Sequence, residues 1–386
     1  MRPATTTGPV RWDPELGGYA VTGFDEAASV LRGPGWSSDP RRNPQAPPQV
    51  HELPPTALLF MDPPDHTRLR RLLGPAFTPH AIGQLRPRIA AIADAALDAL
   101  GDPGAPDGTT DLVAELGYLV PLAVIAELLD IGTEGAALLR AETPQLVRML
   151  EVSADAADLA AAIDAIGALT LFLVPLISAR QRNPGADFIS TLLAVDGITI
   201  DEVLATTILL LAAGHETTAN LIANGTLALL NHPDQRPHLL AHPVRAVEEL
   251  LRMESPVQLA ARTALTAQLL GGRKIAEGDP VIVRVGAANR DPRRYRDPGA
   301  LDLTRDGPPH LAFGNGPHFC LGAALARLEA TETLTRLFTR YPAMELASTA
   351  QWRPSTTFRA LSMLPIRLGA SAHDHAAVAG RRSRCS

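Results

Sequence analysis

The sequence predicts a mainly α fold: a helix-rich single domain with a small β-sheet portion over residues 1–370, followed by a disordered tail at 371–386. Three observations predict it. Leucine and alanine dominate the apolar runs while aromatic residues make up only 4%, which suits packed helices better than a β-sandwich. Apolar residues recur at helical spacing from about Pro64 to about Tyr341, broken by polar loops near 101–108 and 183–186. Strand-like stretches are short and confined to the start of the chain and to 262–285.

Residues 10–12 and 19–21 flank a turn at 14–18, and a short helix follows over 24–31. The stretch 33–55 is rich in proline and polar residues and reads as one long loop, a length that usually signals function. The best-defined helix spans 200–230, with Thr199 and Glu202 at capping-box spacing and Asn231-His232-Pro233 stopping it. Another runs from Pro243 to Met253, its proline in the first turn where a missing N–H is harmless. A strand-like zone then turns at Gly271-Gly272, and loops with aspartate and proline lead to 313–322 and a last long helix.

A 46% hydrophobic and 20% charged composition is that of an ordinary globular protein, and a net charge of −6 argues against a nucleic-acid-binding face. Basic charge is almost wholly arginine, with Lys274 the single lysine; together with abundant alanine and proline this suggests a GC-rich bacterial genome. Residues 1–10 carry neither a charged n-region nor an apolar h-region. Apolar runs such as 208–213 are too short to cross a membrane. The expectation is a soluble, cytoplasmic monomer without a membrane anchor. Of the two cysteines, Cys385 falls in the polar tail, so no disulfide framework is expected and Cys320 needs its own explanation.

Cys320 lies in Phe313-Gly314-Asn315-Gly316-Pro317-His318-Phe319-Cys320-Leu321-Gly322. The glycines allow a tight turn and a close approach of the backbone to whatever lies against the loop. The helix that follows points its positive end at the sulfur, which favours a thiolate over a thiol. A lone cysteine is ordinarily a buried structural residue, but the surrounding loop argues otherwise. A nucleotide-binding glycine loop would need a third glycine and a βαβ unit, and neither is present. Midway along the 200–230 helix stands Ala213-Gly214-His215-Glu216-Thr217-Thr218. A small residue and a glycine there leave room beside the helix and permit a local bulge. His215-Glu216 begins a zinc-protease pattern, yet the second histidine would fall at Ala219. Glu249 and Arg252 stand three apart on one helix face and can pair.

These segments, in this order and over nearly the whole chain, resemble the cytochrome P-450 family. The resemblance implies the mostly α cytochrome P-450 fold, with haem between the 200–230 helix and the cysteine loop. It makes Cys320 the ligand to the iron of haem b (iron protoporphyrin IX), with Phe313, Gly314 and Gly322 shaping the loop and Ala213 and Gly214 facing the cofactor. Thr217 and Glu216 become the alcohol and acid that deliver protons to bound O2. His66, Arg70, Arg262 and His318 match positions that hold the haem propionates. Glu249 and Arg252 become a structural pair, to which relatives add a downstream arginine; here Arg305 and Arg290 are the two candidates.

The implied activity is monooxygenation, inserting one atom of O2 into a C–H bond by hydroxylation, or epoxidising, in bacterial secondary metabolism. The substrate is a lipophilic small molecule, in a pocket lined by the 33–60 loop, Leu210, Ala213, Val257, Leu259, Thr357 and Phe358. No flavin or iron–sulfur segment is visible, so electrons are expected from a ferredoxin and its NAD(P)H-dependent reductase. Oxidative coupling or peroxide-driven chemistry is the alternative within the fold, although the Glu216–Thr217 pair speaks against a dedicated peroxide user. A non-catalytic haem gas sensor would need no such pair.

Overall fold

A computed structural model describes residues 8–101 and 108–369; the expected tail and Cys385 lie outside the described residues. Thirteen helices are described. The first five are α1 (Phe24–Arg32), α2 (Asp65–Leu73), α3 (Pro79–Gly83), α4 (Arg86–Ala99) and α5 (Leu119–Leu129). The middle of the chain adds α6 (Gly132–Arg148), α7 (Ala156–Arg182), α8 (Phe188–Leu193) and α9 (Ile200–Asn231). The last are α10 (Arg236–Ala241), α11 (Pro243–Met253), α12 (Val285–Ala288) and α13 (Ala323–Arg340). The long axis of the helical body is α9, against which α5, α6, α7, α11 and α13 pack. Its start is the capping box expected: Glu202 N–H donates to Thr199 Oγ1 at 3.2 Å, and Thr199 N–H donates back to the Glu202 carboxylate at 2.9 Å.

The β portion is a five-stranded mixed sheet plus smaller pieces. Strands β1 (Val10–Asp13), β2 (Gly18–Val21) and β3 (Trp36–Ser37) join it from the start of the chain. From later come β4 (Thr109–Asp111), β5 (Leu259–Ala264), β6 (Gln268–Leu270), β7 (Arg273–Ile275) and β8 (Pro280–Arg284). The sheet order is β1-β2-β8-β5-β3, with β2 and β8 parallel and the other neighbours antiparallel. The Gly271-Gly272 turn joins β6 to β7, both glycines at positive φ (52° and 76°) as a two-residue hairpin requires. One apolar core fills the helical body, and a second lies between α1 and the sheet.

Two expectations are corrected. The 33–55 stretch is not a plain loop: it holds β3 and two 3-10 turns, Pro40–Arg42 and Pro48–Glu52, because its prolines preset the turn geometry. The statement that every apolar run is too short for a membrane fails at α7, which is long and apolar enough by length and composition. Its buried residues, Leu159, Ala162, Ala165, Leu169, Leu173 and Ile177, repeat every three or four positions and join the main core.

Candidate active site

The glycines of the Cys320 loop set its shape. Cys320 N–H donates to the Phe313 carbonyl at 2.8 Å, and Phe319 N–H to the Gly316 carbonyl at 3.0 Å. Gly314 and Gly316 take the left-handed backbone, φ 74° and 73°, where a side chain would be strained. At Gly316 a Cβ would also come 2.6 Å from Arg32 Cα, so the loop seats directly against the end of α1. The loop presents Cys320 to a cavity of about 780 Å³, where the residue is exposed to the cavity yet ringed by protein. The helix end does not by itself yield a thiolate. Burial pushes the thiol up, outweighing the Gly322 N–H and the charges of Arg70 and Arg327 that draw it down. Full ionisation of this sulfur calls for a stronger partner, such as a bound cation.

Leu210, Ala213, Gly214 and Thr217 all reach the same cavity from one face of α9. The bulge expected at Gly214 is not there, since Ile200–Asn231 is α-helical throughout. Instead, Thr217 satisfies its hydroxyl by donating to the Ala213 carbonyl one turn back at 2.7 Å. A Cβ on Gly214 would meet the ends of the Ile125 and Leu210 side chains at 3.4 Å, so the glycine lets those two side chains pack closely against α9. Val257, Leu259, Thr357 and Phe358 complete the largely apolar wall, with Val257 and Phe358 paired through an isolated antiparallel bridge.

Four basic side chains, His66, Arg70, Arg262 and His318, line one part of this cavity. The His66 and His318 rings stack with centroids 3.9 Å apart. His66 is 1% exposed, and neither of its ring nitrogens has a hydrogen-bond partner. Burial, then the charges of Arg262, His66 and Arg70, drive His318 down to about 3. Burial also brings Arg262 down to about 10. None of the four forms an ion pair among the described residues; the nearby Asp62 carboxylate is already engaged by the Ser37 hydroxyl and the Ser38 amide. Orphaned donors and unbalanced positive charge around a cavity are what a bound polyanion would relieve. With a free cysteine beside them, these residues fit an iron porphyrin carrying carboxylates.

Glu216 is not on the cavity wall. Its carboxylate, 3% exposed, pairs with Arg353 and accepts from Asn220 Nδ2 at 2.9 Å and from Tyr118 Oη at 3.3 Å. Burial and the Glu216 charge push the Tyr118 hydroxyl up to about 12. Glu249 and Arg252 are each 3% exposed and form a two-point pair, Nε–Oε2 2.7 Å and Nη2–Oε1 2.8 Å. Arg252 also donates to the Asn289 and Pro298 carbonyls, tying α11 to the loops before the cysteine. The downstream arginine is Arg305, whose Nε donates to Glu249 Oε1 at 3.1 Å. Arg290 turns instead to the Met253 carbonyl and Glu254.

One cavity residue escapes a sequence reading. Glu329 on α13 is 2% exposed, lines the cavity, and leaves Oε2 without a partner. Burial raises its carboxyl well above the ordinary range. In sequence it looks like any helix-surface glutamate.

Comparison with known proteins agrees with this geometry. The family model described as Cytochrome P450 matches residues 35–239 and 244–368. The chain is 39% identical over 361 residues to the cytochrome P450 monooxygenase PikC of Streptomyces venezuelae, covering 90% of this chain and 85% of that protein. It is 41% identical over 328 residues to the vitamin D(3) 25-hydroxylase of Pseudonocardia autotrophica, covering 82% and 79%. Among solved structures, P450BioI in complex with a hexadecenoic acid-ligated acyl carrier protein superposes with a TM-score of 0.86 at 34% identity, covering 93% and 95%.

Proposed function

The chain belongs to the cytochrome P450 family and is accordingly a monooxygenase with a haem-iron cofactor, a small-molecule substrate, O2 and redox partners; on that premise we propose that it hydroxylates or epoxidises a lipophilic small molecule of bacterial secondary metabolism. The observation that carries this reading is the convergence of Cys320, Thr217 and four unpaired basic side chains on one cavity. Bound there as haem b, the cofactor supplies reductive activation of O2 and the oxidising power that C–H bonds demand.

The residues supply the rest. Cys320 is the thiolate ligand, and the Gly322 N–H hydrogen-bonds its sulfur. His66, Arg70, Arg262 and His318 hold the two propionates through charge-assisted hydrogen bonds. Phe313, Gly314 and Gly322 would bring the loop close to the bound cofactor, and Ala213 and Gly214 would line the α9 wall facing it. Thr217 presents a hydroxyl oxygen that holds a proton-bearing water in place. Glu216 passes protons inward from the solvent beside the partly exposed Arg353, once that pair opens. Glu329, its carboxyl raised by burial, is a second proton store on the α13 wall. Leu210, Val257, Leu259, Thr357 and Phe358 exclude water and receive a lipophilic substrate. Electrons come from a separate ferredoxin and NAD(P)H-dependent reductase.

The test is the absorption spectrum of the reduced protein under carbon monoxide. A strongly red-shifted Soret band, lost in Cys320→Ala, is expected; a Soret band without that shift would remove Cys320 as the ligand. Thr217→Ala and Glu329→Gln are both expected to retain the shifted band yet divert about tenfold more reducing equivalents to peroxide, in line with an acid–base contribution. Unchanged coupling between NAD(P)H consumed and product formed would take both out of proton delivery. Turnover with peroxide alone, and none with redox partners, would replace the ferredoxin-dependent reading.

A further inference from the structure

Arg327 stands on α13 seven residues after Cys320, about two helical turns on. Its guanidinium lies 4.5 Å from the centroid of the Phe313 ring, and Phe313 is the residue whose carbonyl accepts the Cys320 N–H. Glu248 grips the same guanidinium at two points, Nε–Oε1 2.6 Å and Nη2–Oε2 2.9 Å. Glu248 is the neighbour of Glu249 on α11 but takes no part in the Glu249–Arg252–Arg305 lock. His310 Nε2 comes within 3.3 Å of Glu248 Oε2. Its Nδ1 accepts the Ala312 N–H at 3.1 Å, so the ring's proton sits on the nitrogen facing the carboxylate. Two neighbours thus hold Glu248 down at about 2, and it is an anion at any working pH.

We propose that Arg327 and Glu248 are positioning residues with opposed effects on the haem reduction potential: Arg327 sets positive charge and a cation–π contact against the cysteine loop, and Glu248 fixes that charge while offsetting it. The inference rests on Cys320 as the iron ligand. Reduction adds one negative charge to the iron–thiolate unit, so a nearby cation favours the reduced form and a nearby anion disfavours it. Both side chains are about a third exposed, which screens the effect without abolishing it. A pair that served only as a clamp between α11 and α13 would behave differently, because losing either partner would loosen the same loop in the same way.

Sign therefore separates the two roles. Spectroelectrochemical titration of the holoenzyme is expected to show a lower potential in Arg327→Met and a higher one in Glu248→Gln. Each should change the ferrous-to-ferric ratio at a fixed applied potential by about threefold or more, a size suited to a partly screened unit charge. Arg327→Lys, which keeps the charge, should stay near wild type, and the double variant Arg327→Met/Glu248→Gln should fall between the singles. Shifts of the same sign, or no shift in Glu248→Gln and Arg327→Lys with Arg327→Met unable to fold, would overturn the proposal. The carbon monoxide spectrum tells which reading has failed. A retained thiolate-type band with unsplit potentials rejects only the tuning pair, whereas a wild-type protein lacking that band rejects the Cys320 ligand and the tuning pair together.

Discussion

Two charged clusters stand beside α9, and their charges are arranged in opposite ways. The cluster of Glu216, Arg353, Tyr118 and Asn220 is closed on itself: one carboxylate, one guanidinium, and neutral donors filling the remaining positions. The cluster of His66, Arg70, Arg262 and His318 forms no ion pair among the described residues; burial lowers all four groups, and the arginine charges add to it at the two histidines. A self-balanced buried cluster stabilises the fold or stores a proton path. An unbalanced one weakens the fold until something negative arrives, and so points to a ligand. The contrast separates structure from binding without reference to motif.

The sharpest way to break the contrast is to remove a cation from the open cluster. Arg262→Leu is expected to weaken haem retention by about 3 kcal/mol, roughly a hundredfold, the size of losing one buried charge-assisted bond. The same change should make the haem-free protein more resistant to heat, because a buried charge with no ion-pair partner is removed. Haem transfer to an acceptor protein and thermal unfolding of the stripped chain give the two readings. A variant that loses both haem and stability would mean that Arg262 is structural after all.

In the closed cluster the same kind of change should act on folding and not on the cofactor. Glu216→Gln leaves Arg353 without its counter-ion. Because Arg353 is 34% exposed, the loss is expected to be about 2 kcal/mol rather than the 3–5 typical of a fully buried pair. Haem affinity should stay within about twofold of wild type, since this cluster does not border the cavity. Denaturant titration beside haem titration checks both parts, and a large fall in haem affinity would undo the division between the clusters.

What the sequence disclosed of each cluster follows from distance along the chain. The α9 capping box needs only Thr199 and Glu202, three residues apart, and the Gly271-Gly272 turn is set by neighbouring backbone angles; both can be read locally. The members of the open cluster could be named one by one only through resemblance, because residues 66, 70, 262 and 318 share no local pattern. Arg353 was invisible as the partner of Glu216, 137 positions away. The choice of Arg305 over Arg290 likewise depended on how loops return to α11. Glu329 shows the limit most plainly. A glutamate among alanines and leucines on a helix is usually solvated, and only the packing of α13 against α9 makes it a buried acid.

The gentlest test titrates the open cluster instead of cutting it. His318 is held at about 3 in the folded chain, against roughly 6.5 for an unfolded histidine. Between those values the unfolded chain takes up a proton that the folded chain refuses. Stability is therefore complete above about pH 6.5 and declines as the pH falls toward 3. His66, lowered for the same reasons, adds to the decline. One such proton is worth up to about 1.4 kcal/mol per pH unit; partial exposure reduces this to about 1 kcal/mol between pH 6.5 and 5. Urea unfolding of the haem-free protein across that range should show the slope, and His318→Asn should flatten it. With haem bound, the propionate carboxylates favour the protonated ring, so the holoenzyme's slope should be shallower than that of the haem-free chain. Equal slopes in the two forms would mean that the cofactor's carboxylates sit elsewhere, and the open cluster would lose its ligand.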